Sequence, residues 1–279
     1  MTPGRVGRFA ARCAAAALVV LPGLCGAATA AADPDALWRI VSDQCVPDQL
    51  RNRDPAPCSV VDLDAGQDNG YVVYKDITGA RQYLLMPTAR ITGIESPALL
   101  APGATNYFAA AWRARSFTEA RAGGVLPRDW ISLAVNSAVS RSQNQLHIHI
   151  DCLRADVHEA LSRYAAAVGD TWAPFPVPLA GHTYAAIAVA GEELGVNPFV
   201  LLADGMPGAR ADMGINTLVV VGATEVRGGP GFIVLADRAD GETGDFAGGE
   251  ALQDHESNAA PSHSPHRRCR NPPASSGSG

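Results

Sequence analysis

Gln145-Leu146-His147-Ile148-His149-Ile150-Asp151-Cys152 is the stretch on which the reading of this chain turns. In an extended strand, side chains alternate between two faces. Leu146, Ile148 and Ile150 then enter a core. His147, His149 and Asp151 share the opposite face, with alternate residues roughly 6–7 Å apart at the usual strand rise. Three titratable groups on an otherwise apolar strand are costly to bury unless they are paired or used. That face is the candidate active site.

Working outward from this strand, turn residues and apolar periodicity predict the neighbouring elements. Asp33 to Val46 reads as a short helix. Tyr71–Lys75 and Gln82–Met86 read as strands joined by a turn at Thr78-Gly79, with Pro87 ending the second. Ser96–Leu100 reads as a helical turn, and Asn106–Arg121 as a longer helix stopped by Gly123-Gly124. Trp130–Val135 reads as a strand, followed by a polar connection, Asn136–Asn144. Beyond the His strand, Arg154–Val168 is predicted helical, with His158 on a helix face and not a ligand. Tyr184–Ala190, Ile215–Val221 and Phe232–Ala236 read as strands, and Asn197–Ala203 as a helix. The expected fold class is α+β, a mostly antiparallel sheet with helices packed on it.

The two ends have a different character. Arg5, Arg8 and Arg12 precede an apolar run from Cys13 to Leu24, and alanine-rich cleavage patterns follow before Asp33. Residues 1–32 are therefore expected to be a signal peptide or signal anchor. The body, 33–254, is then expected to be exported: periplasmic or on the outer face of the cytoplasmic membrane. Residues 255–279 lack apolar periodicity and are expected to form a disordered tail; His263, His266 and Cys269 there have the spacing of a metal clip, a solvated tail being the blander reading. A net charge of −6 over 279 residues argues against a nucleic-acid partner. Export permits disulfides. Cys45 and Cys58 flank a short Pro-rich loop, where a bridge is worth about 3 kcal/mol in the chain-entropy model. Other pairings stay open, and Cys152 is as well read as a buried thiol as a paired one.

The His face supports several chemistries. Its histidines can be structural. His-x-His-x-Asp can also hold zinc, and it resembles the opening of the metallo-β-lactamase motif with Cys152 where a further His would stand. Alternatively, a neutral imidazole can attack phosphorus and give a phosphoramidate that water later opens. That chemistry needs donors for phosphate oxygens, and Asn136, Ser142, Gln143 and Asn144 lie just upstream. This third reading needs no cofactor and no metal.

The segment resembles the histidine triad (HIT) superfamily, whose motif is His-φ-His-φ-His/Gln with an Asn and a Gln upstream; Asn136 and Gln143 stand at matching distances. The whole body is similar to the bacterial CDP-diacylglycerol pyrophosphatase family. The matching pieces include Leu37–Val41, Cys45, Ala56-Pro57-Cys58, Tyr83–Met86, Arg90–Glu95, Asn106-Tyr107-Phe108, Ser142–Cys152 and Leu252–His255. The resemblance implies a HIT-like fold and cleavage of CDP-diacylglycerol to CMP and phosphatidate through a nucleotidyl-histidine. His149 would be the nucleophile and His147 would orient it. Gln143 and Asn144 would hold phosphate oxygens, and Asn136 would support the strand or the ribose. Asp151 stands where the superfamily has His or Gln; facing a diphosphate it must be turned away, protonated, or paired with Arg90 or Arg141. The substrate partner would be CDP-diacylglycerol in a membrane, with Trp112, Phe117, Trp130, Trp172 and Phe175 candidates for an acyl-chain surface. A homo-oligomer is compatible with the sequence. A non-enzymatic lipid-binding module is the alternative from another class.

Overall fold

In the computed structural model, residues 1, 2 and 33–255 are described. The segments expected to be a signal sequence and a disordered tail lie outside these residues, apart from His255 at the start of the tail. Nine strands form one sheet in the order β1-β2-β3-β5-β4-β8-β9-β7-β6. They are β1 (Val60–Asp62), β2 (Tyr71–Lys75), β3 (Tyr83–Pro87), β4 (Ile131–Val135), β5 (Ile148–Cys152), β6 (Ala173–Pro174), β7 (Ala185–Ala190), β8 (Asn216–Val226) and β9 (Gly229–Arg238). Every pairing is antiparallel. The chain is therefore α+β, as the alternating patterns predicted.

Helices cover both faces. On one lie α3 (Tyr107–Ala122) and α5 (Pro198–Gly205). Phe108, Trp112 and Phe199 pack there against Leu133, Ile148, Ile150 and Val220. Asn106 caps α3 by accepting from Ala109 N at 3.1 Å, and Gly123 ends it in the left-handed conformation, φ 87°. The other face is covered in two separate patches. Leu84 and Met86 of β3 pack under the N-terminal helical region, with Val41 and Val46. Ala134, Val219, Val221 and Leu235 pack under α4 (Ala155–Tyr164), with Val157 and Leu161.

Several boundaries differ from expectation. The first helix does not stop at Val46: α1 (Ala36–Arg39) runs through a π-helical segment, Ile40–Cys45, into α2 (Val46–Asn52). Pro47 lies just after the π-helical segment and removes one backbone donor from the continuous run. β8 and β9 extend well past their predicted apolar cores. Arg227 and Gly228, both at positive φ (56° and 88°), make the tight turn that joins them. Regular strand begins at Ile148 and not at Gln145. The predicted helix to Val168 breaks after Tyr164 into a short 3-10 turn.

Cys45 and Cys58 are disulfide-bonded. Cys152 is buried at the end of β5 and is also disulfide-bonded. Among the described residues no helix is long and apolar enough to cross a membrane.

Candidate active site

Strand register places the site. β5 lies between β3 and β4, so His149 sits beside Leu84 on one side and Ala134 on the other. Leu84 belongs to the patch under the N-terminal helices, and Ala134 to the patch under α4. The His face of β5 is thus the seam between two covered apolar patches. Ile148 and Ile150 point the other way, into the core beneath α3. The alternation read from the sequence holds, and both faces are buried.

His147 and His149 are 8% and 5% exposed, with ring centroids 4.8 Å apart at an interplanar angle of 64°. Their hydrogen bonds differ in kind. His147 Nδ1 lies 2.6 Å from the carbonyl oxygen of Gln145. A carbonyl only accepts, so Nδ1 carries the proton and Nε2 keeps its lone pair. His149 Nδ1 lies 2.7 Å from Gln82 Nε2. The same Gln82 nitrogen donates to Asp76 Oδ2 at 2.7 Å, which fixes the amide with its N–H groups toward both acceptors. His149 Nδ1 therefore accepts, and the proton resides on Nε2, which has no hydrogen-bond partner among the described residues. Glu250 Oε2, 3.3 Å from His149 Nδ1, pulls toward the opposite tautomer. The Gln82 contact is shorter and locked by Asp76, so it sets the assignment. Burial pushes both imidazoles below their ordinary range, His149 the further because His147 adds to the effect. Both are neutral at pH 7.

Asp151 is 1% exposed. Its Oδ1 accepts from Cys152 N at 2.8 Å, while Oδ2 has no hydrogen bond and lies 3.9 Å from His255 Nδ1. Burial raises its carboxyl to about 7 against the pull of the Cys152 amide, Arg81 and His255. Gly79 closes the β2–β3 turn at φ 67°, and a Cβ there would meet Gln82 Cβ at 3.3 Å and Asp151 Oδ2 at 3.4 Å. The turn thus comes down onto Asp151, and its positive φ favours a glycine there. Lys75 ties that turn by donating from Nζ to the carbonyls of Asp76 and Gly79.

The polar residues upstream of the strand divide. Asn136 is 5% exposed; its amide donates to Glu250 Oε1 at 2.9 Å and accepts from Glu250 N at 3.2 Å, so it holds the carboxylate that reaches His149. Gln143 instead holds the N-terminal segment, accepting from Leu37 N at 3.0 Å and donating to Asp33 O at 2.9 Å. The Asn144 backbone donates to Pro34 O. Neither Arg proposed to partner Asp151 is spent on it: Arg90 pairs with Asp35, and Arg141 makes a two-pronged pair with Glu95. His158 stacks on Trp130 and meets Asp129, in keeping with a helix-face residue.

Sequence reasoning missed Asp76, Gln82, Glu250 and Gln253. Gln253 Nε2 donates to the carbonyl of His149 and to both oxygens of Ser132, stitching the C-terminal segment across β5 and β4. Arg81 pairs with Asp254 at 3.2 Å, and His255 Nε2 meets Glu250 O at 3.0 Å. The similarity of Leu252–His255 to a family segment was the signal for part of this set; Asp76 and Glu250 gave none.

The strand trio does not make a compact ligand set. Among the described residues, the group of three whose ligand atoms lie within 4.8 Å of one another is His182, Asp237 and Asp245, away from β5. The Nδ1 atoms of both strand histidines are taken by protein hydrogen bonds. Two neutral histidines of opposite tautomer, side by side in a seam rich in amides, define an α+β protein equipped for nucleophilic and acid–base chemistry by imidazole.

Residues 32–261 match the family model described as CDP-diacylglycerol pyrophosphatase. A curated CDP-diacylglycerol pyrophosphatase of Yersinia pestis is 45% identical over 222 residues, covering 79% of this chain and 83% of the relative. The chain belongs to the CDP-diacylglycerol pyrophosphatase family.

Proposed function

We propose that this chain hydrolyses CDP-diacylglycerol to CMP and phosphatidate through a nucleotidyl-histidine, with His147 as nucleophile and His149 as hydrogen-bond donor to the departing oxygen. The opposed tautomers of the two histidines carry this reading. The likeness to the HIT superfamily suggested the reverse assignment. A nucleophile needs a free lone pair, which the Gln145 carbonyl leaves on His147 Nε2, whereas the locked Gln82 amide puts a proton on His149 Nε2.

In the first step His147 Nε2 attacks the phosphorus that carries cytidine. A P–N bond forms, and the bond from that phosphorus to the bridging oxygen breaks. Phosphatidate leaves with the electron pair as its anion, while the N–H at His149 Nε2 donates a hydrogen bond to the oxygen on which charge develops. Water then attacks the same phosphorus and releases a proton to solvent, and the P–N bond breaks with its electron pair returning to His147 Nε2, which frees CMP. Asp76 and Gln82 hold the His149 tautomer. Asn136 keeps Glu250 beside the ring. A carboxyl raised to about 7 leaves a substantial share of Asp151 uncharged near neutrality, which removes much of its repulsion toward a diphosphate. Gln143 and Asn144 act through the loop they tie to the N-terminal segment. The HIT-like relationship of the fold, the signal sequence at 1–32 and an exported, membrane-facing location belong to the same proposal. They are supported by the His-φ-His strand in an antiparallel sheet and by the composition of the N-terminus.

The test is CMP release from CDP-diacylglycerol in detergent with excess EDTA, combined with intact mass after a quench in alkaline denaturant, which preserves a P–N bond. Wild type should turn over, and His149→Ala should show a CMP adduct that His147→Ala lacks. An adduct in His147→Ala and none in His149→Ala would restore the reverse assignment. Activity lost in EDTA and regained with zinc would replace both with metal-assisted hydrolysis.

A further inference from the structure

Hydrolysis of a nucleotidyl-histidine needs a group that holds the attacking water and takes its proton. Neither strand histidine has a lone pair to spare for this. His147 Nε2 would be bonded to phosphorus, and its Nδ1 faces the Gln145 carbonyl. His149 Nδ1 accepts from Gln82, and its Nε2 carries a proton.

A third histidine stands at the same site. His255 is the first residue of the segment expected to be a disordered tail, yet the chain before it is tied down. Gln253 forms an antiparallel bridge with Leu153, Asp254 N donates to the carbonyl of Cys152 at 2.9 Å, and Arg81 pairs with Asp254. The C-terminal segment thus runs along the end of β5 and delivers His255 beside Asp151. The ring is near enough to His149 for charge on one to oppose charge on the other. Its side chain is 28% exposed, whereas both strand histidines are nearly sealed.

His255 Nε2 lies 3.0 Å from the carbonyl oxygen of Glu250. A carbonyl only accepts, so Nε2 carries the proton and Nδ1 presents a lone pair. That Nδ1 is buried and has no hydrogen-bond partner among the described residues. It faces Asp151 Oδ2 at 3.9 Å, an oxygen that is also buried and also without a hydrogen bond among them. Two buried acceptors turned toward each other are costly unless something donates to both. The gap is too wide for a direct hydrogen bond. A water to one side of the line between them can donate one hydrogen to each at about 2.8 Å, which leaves its oxygen lone pairs free for attack.

We propose that His255 is the base of the second step: with Asp151 it holds the hydrolytic water and takes one of its protons on Nδ1. This rests on the function proposed above. The water oxygen bonds to phosphorus, the P–N bond breaks with its electron pair returning to His147 Nε2, and the water proton goes to His255 Nδ1, which releases it to solvent as CMP departs. Ionised Asp151 is the form that accepts from the water, and the departure of phosphatidate removes a negative charge that opposes this form. His255 takes no part in the first step.

The test separates the two steps in the full chain, with CDP-diacylglycerol in detergent and excess EDTA. His255→Gln keeps a donor for the Glu250 carbonyl and removes the base. Rapid mixing and a quench in alkaline denaturant should show phosphatidate released in the first turnover as fast as in wild type. A CMP adduct should accumulate, and CMP release should slow by about a hundredfold or more, the range for loss of a general base. His255→Ala should behave alike, with added imidazole speeding the decay of its adduct; if one variant fails to fold by circular dichroism, the other carries the test. Unchanged CMP release would overturn the proposal. So would phosphatidate and CMP release that fall together with no adduct accumulating, while His149→Ala still shows one. If no adduct forms in any of these variants although wild type turns over, the nucleotidyl-histidine itself falls, and this proposal with it.

Discussion

The two faces of β5 are equally buried and differently satisfied. Toward α3, Ile148 and Ile150 pack in the apolar core, and the one buried hydroxyl that meets them, Thr118 Oγ1, donates to the carbonyl of Ile150 at 3.0 Å. Toward the seam, His147, His149 and Asp151 meet amides, carboxylates and another histidine. Buried polar atoms of Gln82, Gln145, His149, Asp151, Gln253 and His255 on or around that face lack a hydrogen-bond partner among the described residues. Each such atom costs about 1–3 kcal/mol. One face has been shaped for stability. The other gives stability up, and a concentration of buried, incompletely bonded polar groups is where chemistry is to be sought.

If that contrast is right, substitutions on the two faces should separate activity from stability. The largest effect is expected for His147→Ala. Removing the attacking nitrogen should lower CMP release by at least about ten-thousandfold, in the range seen when a nucleophile is deleted, with the protein still folded by circular dichroism. His149→Ala should lose about a hundred- to a thousandfold, as for loss of a donor aimed at the charge that develops in the transition state. A larger loss for His149 than for His147 would reverse their roles. Gln82→Leu should cost about tenfold in kcat, since it frees the His149 tautomer without removing the ring; an unchanged pH profile in this variant would argue against tautomer control.

On the apolar face the pattern should invert. Ile150→Ala should destabilise by about 2–5 kcal/mol in denaturant unfolding, with CMP release per folded molecule close to wild type. A comparable loss of activity per folded molecule would show that the two faces are not independent.

The smallest effect tests the polar face by stability alone. The Asp151 carboxyl is raised from an ordinary 3.8 to about 7, so the folded state holds its proton more tightly than the unfolded state. Its contribution to stability is fully present below about 4 and is lost as pH rises through about 7. Asp151→Asn removes that dependence while keeping an acceptor for Cys152 N. The melting temperature of the variant relative to wild type should therefore rise between pH 5 and pH 8. A difference that stays flat or shrinks would place an ionised Asp151 in the fold.

Much of this architecture was legible because it follows period-2 and period-3.6 patterning. The helix Asn106–Arg121 and the strands around Tyr71, Tyr83 and Trp130 lie close to where their apolar residues and turns put them. β1 and β6 were not legible, since short edge strands carry too few residues to show a period. The full length of β8 and β9 was hidden because Arg227-Gly228-Gly229-Pro230 reads as a breaker and folds as a two-residue hairpin turn. For the site, the sequence pointed to the His strand and to Asn136. It offered Arg90 and Arg141 as partners for Asp151 and gave Gln143 a phosphate, whereas the structure sets Gln143 against Asp33–Leu37 and pairs both arginines elsewhere.

By itself, then, the sequence determined the two-faced strand, the α+β class and the family, because alternation and local similarity are properties of neighbouring residues. Only the tertiary structure decided which nitrogen of each imidazole carries a proton. That depends on Gln82, 67 positions away from His149 in sequence, on Asp76 behind it, and on the carbonyl that the backbone turns toward His147. Such contacts arise from strand register and chain crossing, and no local pattern records them.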